Sequence, residues 1–224
     1  MRKPVVDFKE FTFKKLFTPQ FSYILWLLVW VSHCLLYAIT EWLVPVESCH
    51  VIHHKLDDII PFVEVFVVPY VLWYLLIAIT LIYFALYNPD NFKRFNIFIL
   101  ITQIIATVIF IVYPSMQNLR PVEFPRDNIF SDLVGLLYSA DTNTNVCPST
   151  HVAYSIGIAS AWIKEKSVSK GFKTFIVIFA ILICLSTSFI KQHSVIDSFV
   201  AVIICILAEI VAYGKTYRFP KIRK

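Results

Sequence analysis

Six stretches of apolar sequence dictate what this chain can become: residues 21–43, 62–87, 95–114, 149–163, 172–190 and 194–213. A helix of about 20 residues matches the hydrocarbon core of a bilayer, and a spanning segment must satisfy every backbone N–H and C=O internally. The pattern predicts an all-α integral membrane bundle of six transmembrane helices, a single domain over residues 1–224. Composition agrees, with 58% hydrophobic and 16% charged residues and a mean hydropathy of +0.71. The fourth and sixth stretches open on polar residues, which we assign to a site. No repeat, low-complexity tract or soluble domain interrupts the pattern. No small-residue cleavage site follows the first apolar run, as a cleavable signal peptide would require.

Basic residues then set the orientation. Arg2, Lys3, Lys9, Lys14 and Lys15 precede the first run, and Lys93 and Arg94 fall in the second loop. Lys164, Lys166, Lys170 and Lys173 occupy the fourth loop, and Lys215, Arg218, Lys221, Arg223 and Lys224 the tail. These are 16 of the 20 lysines and arginines; the opposite side holds Lys55, Arg120, Arg126 and Lys191. The positive-inside rule makes the rich side cytoplasmic, with both termini there and the chain in the plasma or cytoplasmic membrane. The net charge of +5 thus reflects topology. No nucleic-acid-reading motif accompanies it, and no nucleic-acid partner is expected.

Chemistry collects on the poorer, outer side. In Lys191-Gln192-His193-Ser194-Val195-Ile196-Asp197, a histidine and a carboxylate are four apart. On one helix face Asp197 would reach the imidazole of His193, fix its tautomer and leave the other nitrogen free to attack. Lys191 beside it would favour an anion. Upstream, Cys147-Pro148-Ser149-Thr150-His151 reads as a capped helix start. Its free N–H groups and positive dipole end suit a phosphate, and His151 could protonate a leaving oxygen. Asn118-Leu119-Arg120-Pro121 adds a guanidinium fork for phosphate oxygens. Each cluster alone reads as an ordinary interfacial feature, but three clusters at one membrane depth point to a site.

The order Arg-Pro, Pro-Ser-x-His, His-x-x-x-Asp resembles the type-2 phosphatidic acid phosphatase family, integral-membrane relatives of the vanadium haloperoxidases. The wording Cys-Pro-Ser-Thr-His-Val-Ala and Lys-Gln-His-x-x-x-Asp is similar to the branch with inositol phosphorylceramide and sphingomyelin synthases. The likeness covers residues 113–197; residues 1–110 carry no motif. It implies a lipid phosphate or pyrophosphate phosphatase that needs no metal or other cofactor. His193 would form a phosphohistidine, Asp197 would orient it, and His151 would act as acid and then base. Arg120, Ser149, Thr150, Lys191 and Tyr113 would bind phosphate. Tyr113 and Thr187 stand where the family has lysine and arginine, so two phosphate-binding cations are missing. A lipid phosphotransferase with the same intermediate, and a non-catalytic lipid-binding or transport protein of the same fold, are the alternatives. In each case the expected partners are a lipid phosphate and the membrane lipids.

Other polar residues receive plainer readings. His50, His53, His54, Asp57 and Asp58 match no zinc spacing and read as an interfacial loop that could cap the site. Glu64 is expected to face the cavity, and Glu209 a basic residue at the cytoplasmic end. Trp26, Trp30, Trp42, Trp73 and Trp162 read as an aromatic belt. Cys34, Cys184 and Cys205 lie in spans, whereas Cys49 and Cys147 share the outer side, where a disulfide between them is chemically allowed.

Overall fold

The computed structural model describes residues 4–5 and 8–214. Arg2, Lys3 and the five basic residues from Lys215 to Lys224 therefore lie outside the described residues. The chain is mostly helical, and among the described residues five segments are long and apolar enough to cross a membrane. These are Ser22–Leu43, Glu64–Tyr87, Pro89–Val112, Lys170–Phe189 and Val195–Tyr213. Within them run α1 (Leu28–Leu43), α3 (Val67–Tyr87), α4 (Pro89–Val112), α7 (Lys170–Phe189) and α8 (Val195–Tyr213). Shorter helices are α2 (Lys55–Ile59), α5 (Ile129–Ala140) and α6 (Thr150–Lys164). Two two-residue strands, β1 (His50–Val51) and β2 (Ser115–Met116), pair in parallel.

Helix α6 occupies the fourth expected span but has only 15 residues, about 22 Å of rise. That is too short to qualify by length, because Ser149 caps it at one end and a turn at Glu165 stops it at the other. It is instead the central helix, packed against α4, α7 and α8. Gly157 lets α4 come close: a Cβ there would stand 2.7 Å from the Phe98 ring. Its N-terminus meets that of α8, where Ser149 N donates to Asp197 O at 3.2 Å. At its far end Asn88, between α3 and α4, donates to Glu165 at 2.7 Å. So α6 runs from one end of the bundle to the other.

The third run starts earlier than the expected residue 95. Asn88 accepts from Asn91 N and Pro89 takes the first helical position, so α3 and α4 are joined by one residue. Lys93 and Arg94 consequently sit on the first turns of α4, while Phe92 and Phe95 beside them are fully buried. Many large apolar residues face outward on the long helices, among them Val71, Leu75, Ile82, Phe175, Ile178, Phe199, Ile206 and Ile210. Such continuous exposed apolar surface is stable in hydrocarbon, not in water. Trp42 is exposed at the end of α1, but Trp73 and Trp162 are buried, so the belt reading fails for both. Trp162 packs on Phe84 and donates to Thr80 at 3.0 Å, satisfying its one polar atom inside the core.

Candidate active site

The turn between α7 and α8 builds the centre of the site. The carbonyl of Thr187 accepts from both Gln192 N (2.9 Å) and His193 N (3.0 Å), folding residues 190–194 back over the end of α7. Lys191 takes a left-handed backbone conformation, φ 55°, to make that reversal. Ser194 then caps α8: its Oγ accepts from Ile196 N, and Asp197 reaches back to Ser194 N at 2.9 Å, a capping box.

His193 is therefore just outside the helix, and a shared helical face does not explain its pairing with Asp197. The capping box points the carboxylate toward the ring, and His193 Nδ1 stands 3.3 Å from Asp197 Oδ2. The same Nδ1 is 3.0 Å from the carbonyl oxygen of Val146. A carbonyl only accepts, so Nδ1 carries the proton and Nε2 keeps its lone pair. Asp197 is fully buried, with Oδ1 left unpartnered.

His151, at the start of α6, faces this turn with 5.9 Å between the two histidine ring centres. Its ring is held between Tyr70 and Trp73 of α3, each with ring centres 4.2 Å away. Among the described residues nothing bonds either of its buried nitrogens, nor the buried Tyr70 hydroxyl, Trp73 Nε1 and Gln192 Nε2. Orphaned buried polar atoms are uncommon in folded proteins and cluster where a ligand supplies the missing bonds.

The five expected phosphate binders fare differently. Arg120 is brought to the site, but its donors go to protein oxygens: Gln192 Oε1 (2.6 Å), and the carbonyls of Tyr138 (3.1 Å), Asp141 (2.9 Å) and Thr142 (2.7 Å). Burial pushes its pKa down, opposed chiefly by Asp141. Lys191 donates to the carbonyls of Asp57 (2.6 Å) and Ile60, away from the histidines. Its pKa is also lowered by burial, with Asp57 and Asp58 opposing. Ser149 is buried and caps α6 through Val152 N. Thr150 opens α6 and lines a narrow crevice with His33, Tyr37 and Gln103. Tyr113 is half-exposed and stacks flat on His50, 4.3 Å between ring centres.

Several site residues carried no signal in the sequence. Trp73 and Tyr70 sat in an unbroken apolar run, and Gln192 looked like a spacer. Asp57 stood among the loop polar residues, yet it is 3% exposed and accepts from Ser194 Oγ (2.6 Å) and Val195 N (2.9 Å). Glu41 receives Thr142 (2.7 Å), Thr144 (2.9 Å) and Asn145, which anchors the segment leading to Pro148. Glu64 is buried, and Arg126 and Asn128 engage both its oxygens. Glu209 meets Lys164 at 2.6 Å, as its position implied. His53 contacts Asp58 at 2.8 Å and His54 caps α2, and among the described residues no His/Cys/Asp/Glu group could hold a metal. All five cysteines are unpaired, so Cys49 and Cys147 form no disulfide.

Comparisons with known proteins return nothing: no family model, no curated protein and no solved structure matches this chain.

Proposed function

We propose that the protein is a membrane-embedded lipid phosphate or pyrophosphate phosphatase acting through a phosphohistidine. One observation carries this reading. Two buried histidines face one another at 5.9 Å, and the proton on His193 Nδ1 is held by Val146 O and Asp197, leaving Nε2 to attack. In the first step His193 Nε2 bonds to phosphorus, the bond to the lipid oxygen breaks, and His151 gives that oxygen a proton. In the second, His151 takes a proton from water as it attacks phosphorus, and the P–N bond breaks. An alcohol in place of water would make the protein a phosphotransferase.

With Arg120 and Lys191 committed to protein carbonyls, the phosphoryl oxygens would be met largely by neutral donors. Gln192 Nε2, the Tyr70 hydroxyl and Trp73 Nε1 are buried and available. The first N–H groups of α6 have no intrahelical acceptor and would join them. On this reading α6 is the sixth crossing, the site end is extracytoplasmic and both termini are cytoplasmic.

The test uses purified full-length protein and a panel of lipid phosphates and pyrophosphates, with and without an added alcohol. An acid-labile phosphoprotein that requires His193, with release of phosphate, is expected. A new phospholipid instead of free phosphate would move the assignment to phosphotransferase. Neither phosphate release nor transfer across the panel would overturn the proposal. For orientation, an impermeant thiol reagent on intact cells should label a cysteine replacing exposed Glu123 but not one replacing exposed Lys166, with native cysteines removed.

A further inference from the structure

We infer that Asp57 is a positioning residue for His193, fastening the first loop at the site end to the turn that carries the nucleophile. The inference rests on the reading of His193 given above. Asp57 is almost fully buried, on a five-residue helix 136 positions before His193 in sequence. Among the described residues no cation forms an ion pair with its carboxylate; Lys191 bonds its backbone carbonyl instead. Its oxygens accept from Ser194 Oγ at 2.6 Å, from Val195 N at 2.9 Å and from His54 N at 2.8 Å. Burying a carboxylate without an ion-pair partner is costly unless hydrogen bonds compensate, so this arrangement is expensive to maintain as mere loop packing.

Two of those three bonds go to the residues directly after His193. The residue two before it, Lys191, is fixed to the same loop through the carbonyls of Asp57 and Ile60. The nucleophile is thus clamped from both sides by residues 57–60. Asp57 also completes the cap of α8. Ser194 N goes to Asp197, Val195 N to Asp57 and Ile196 N to Ser194 Oγ, whose own proton goes to Asp57. Two carboxylates from distant parts of the chain share one helix start, and Asp197 is free to point at His193 because Asp57 takes the N–H that follows. If Asp57 is removed, Val195 N loses its acceptor and competes with Ser194 N for Asp197, which is drawn off the imidazole.

The experiment compares Asp57→Ala, Asp57→Asn and Ser194→Ala in the full-length protein. The readouts are kcat, KM, the rate of phosphohistidine formation and the ¹⁵N-histidine spectrum, with His193→Ala assigning the His193 signals. Asp57→Ala should lower kcat by roughly 10²-fold, as a small displacement of a reacting group does, with KM nearly unchanged. Its His193 signals should shift, because Nδ1–H keeps Val146 O but loses Asp197. Asp57→Asn, which keeps an acceptor for Val195 N and can donate to Ser194, should recover most of both. Should Asp57→Ala fail to give a cooperative melt, Ser194→Ala, which removes the 2.6 Å bond to Asp57 and the cap of Ile196 N, decides: it must show a loss confined to kcat and a His193 shift in the same direction. Wild-type kcat and an unchanged His193 spectrum in either variant would overturn the inference. A wild-type protein that never forms phosphohistidine sinks the proposed function instead, and the comparison of His193 spectra still decides the role of Asp57.

Discussion

The two ends of the bundle are built from similar polar residues and treat them in opposite ways. At the end where α3 passes into α4, Asn88 bonds Glu165, which in turn receives Ser167 N. Asn91 donates to Ala161 O at 3.0 Å and accepts from Tyr213 at 2.9 Å, while Lys164 pairs with Glu209. At the other end lie His151, Tyr70, Trp73, Asn145, Gln192 and Asp197, each with at least one buried polar atom lacking a partner. Among the described residues, every such atom belongs to the half of the bundle that carries the two histidines. Satisfied polar groups fix a fold; unsatisfied ones lower stability and persist where a ligand completes them. On the proposed function, one end stabilises the protein and the other is prepared for chemistry.

That contrast is most open to attack at the nucleophile. His193→Ala should abolish both turnover and the covalent intermediate, whereas Asn91→Ala at the opposite end should leave kcat unchanged in the fraction that folds. Activity in His193→Ala would break the comparison outright. Next in size, His151→Ala should lose roughly 10²–10⁴-fold as a general acid is removed, and a nitrophenyl leaving group should restore much of that rate. The same activated substrate should do nothing for His193→Ala. Equal rescue of both variants would mean that the two roles are misassigned.

Stability should move in opposite directions at the two ends. Asn91→Ala removes the donor to Ala161 O and the acceptor of the Tyr213 hydroxyl and should cost about 1–3 kcal/mol in detergent unfolding. His151→Phe keeps a ring against Tyr70 and Trp73 and removes two buried nitrogens, so it should stabilise by about 1 kcal/mol while losing activity at least as far as His151→Ala. A destabilised His151→Phe would show that the site histidine contributes to the fold after all. The smallest effect concerns Cys147. Burial first and Asp197 second push its thiol up to about 12, so at pH 8 roughly one molecule in 10⁴ is thiolate. A permeant maleimide should label it only after denaturation. Ordinary labelling of the folded protein would show that the site end opens.

Much of the architecture was legible because the bilayer imposes it. Five of the six apolar runs are helices long enough to cross, and the sixth, at α6, is a helix in the expected place but shorter. The boundaries were less legible. The run that was expected to start at residue 95 starts at Pro89, since a capping Asn88 and the buried Phe92 and Phe95 outweigh two basic residues at the helix start. The grouping of His151, His193 and Asp197 could be read from polar residues at the ends of apolar runs.

Local sequence was enough for three things: a helical chain with apolar runs of membrane-spanning length, the approximate place of each helix, and a histidine pair near one depth. Those follow from local properties, namely apolar run length, capping residues and charge placement, which act within a few residues of one another. The tertiary structure alone decided which donors remain available. Arg120 and Lys191 look identical in sequence to phosphate-binding cations, yet each finds carbonyl oxygens on segments far away in the chain. Tyr70, Trp73 and Asp57 look like span and loop residues, yet they enclose His151 and clamp the turn of His193. Whether a polar group binds a ligand depends on which partners surround it, and packing between distant segments sets that.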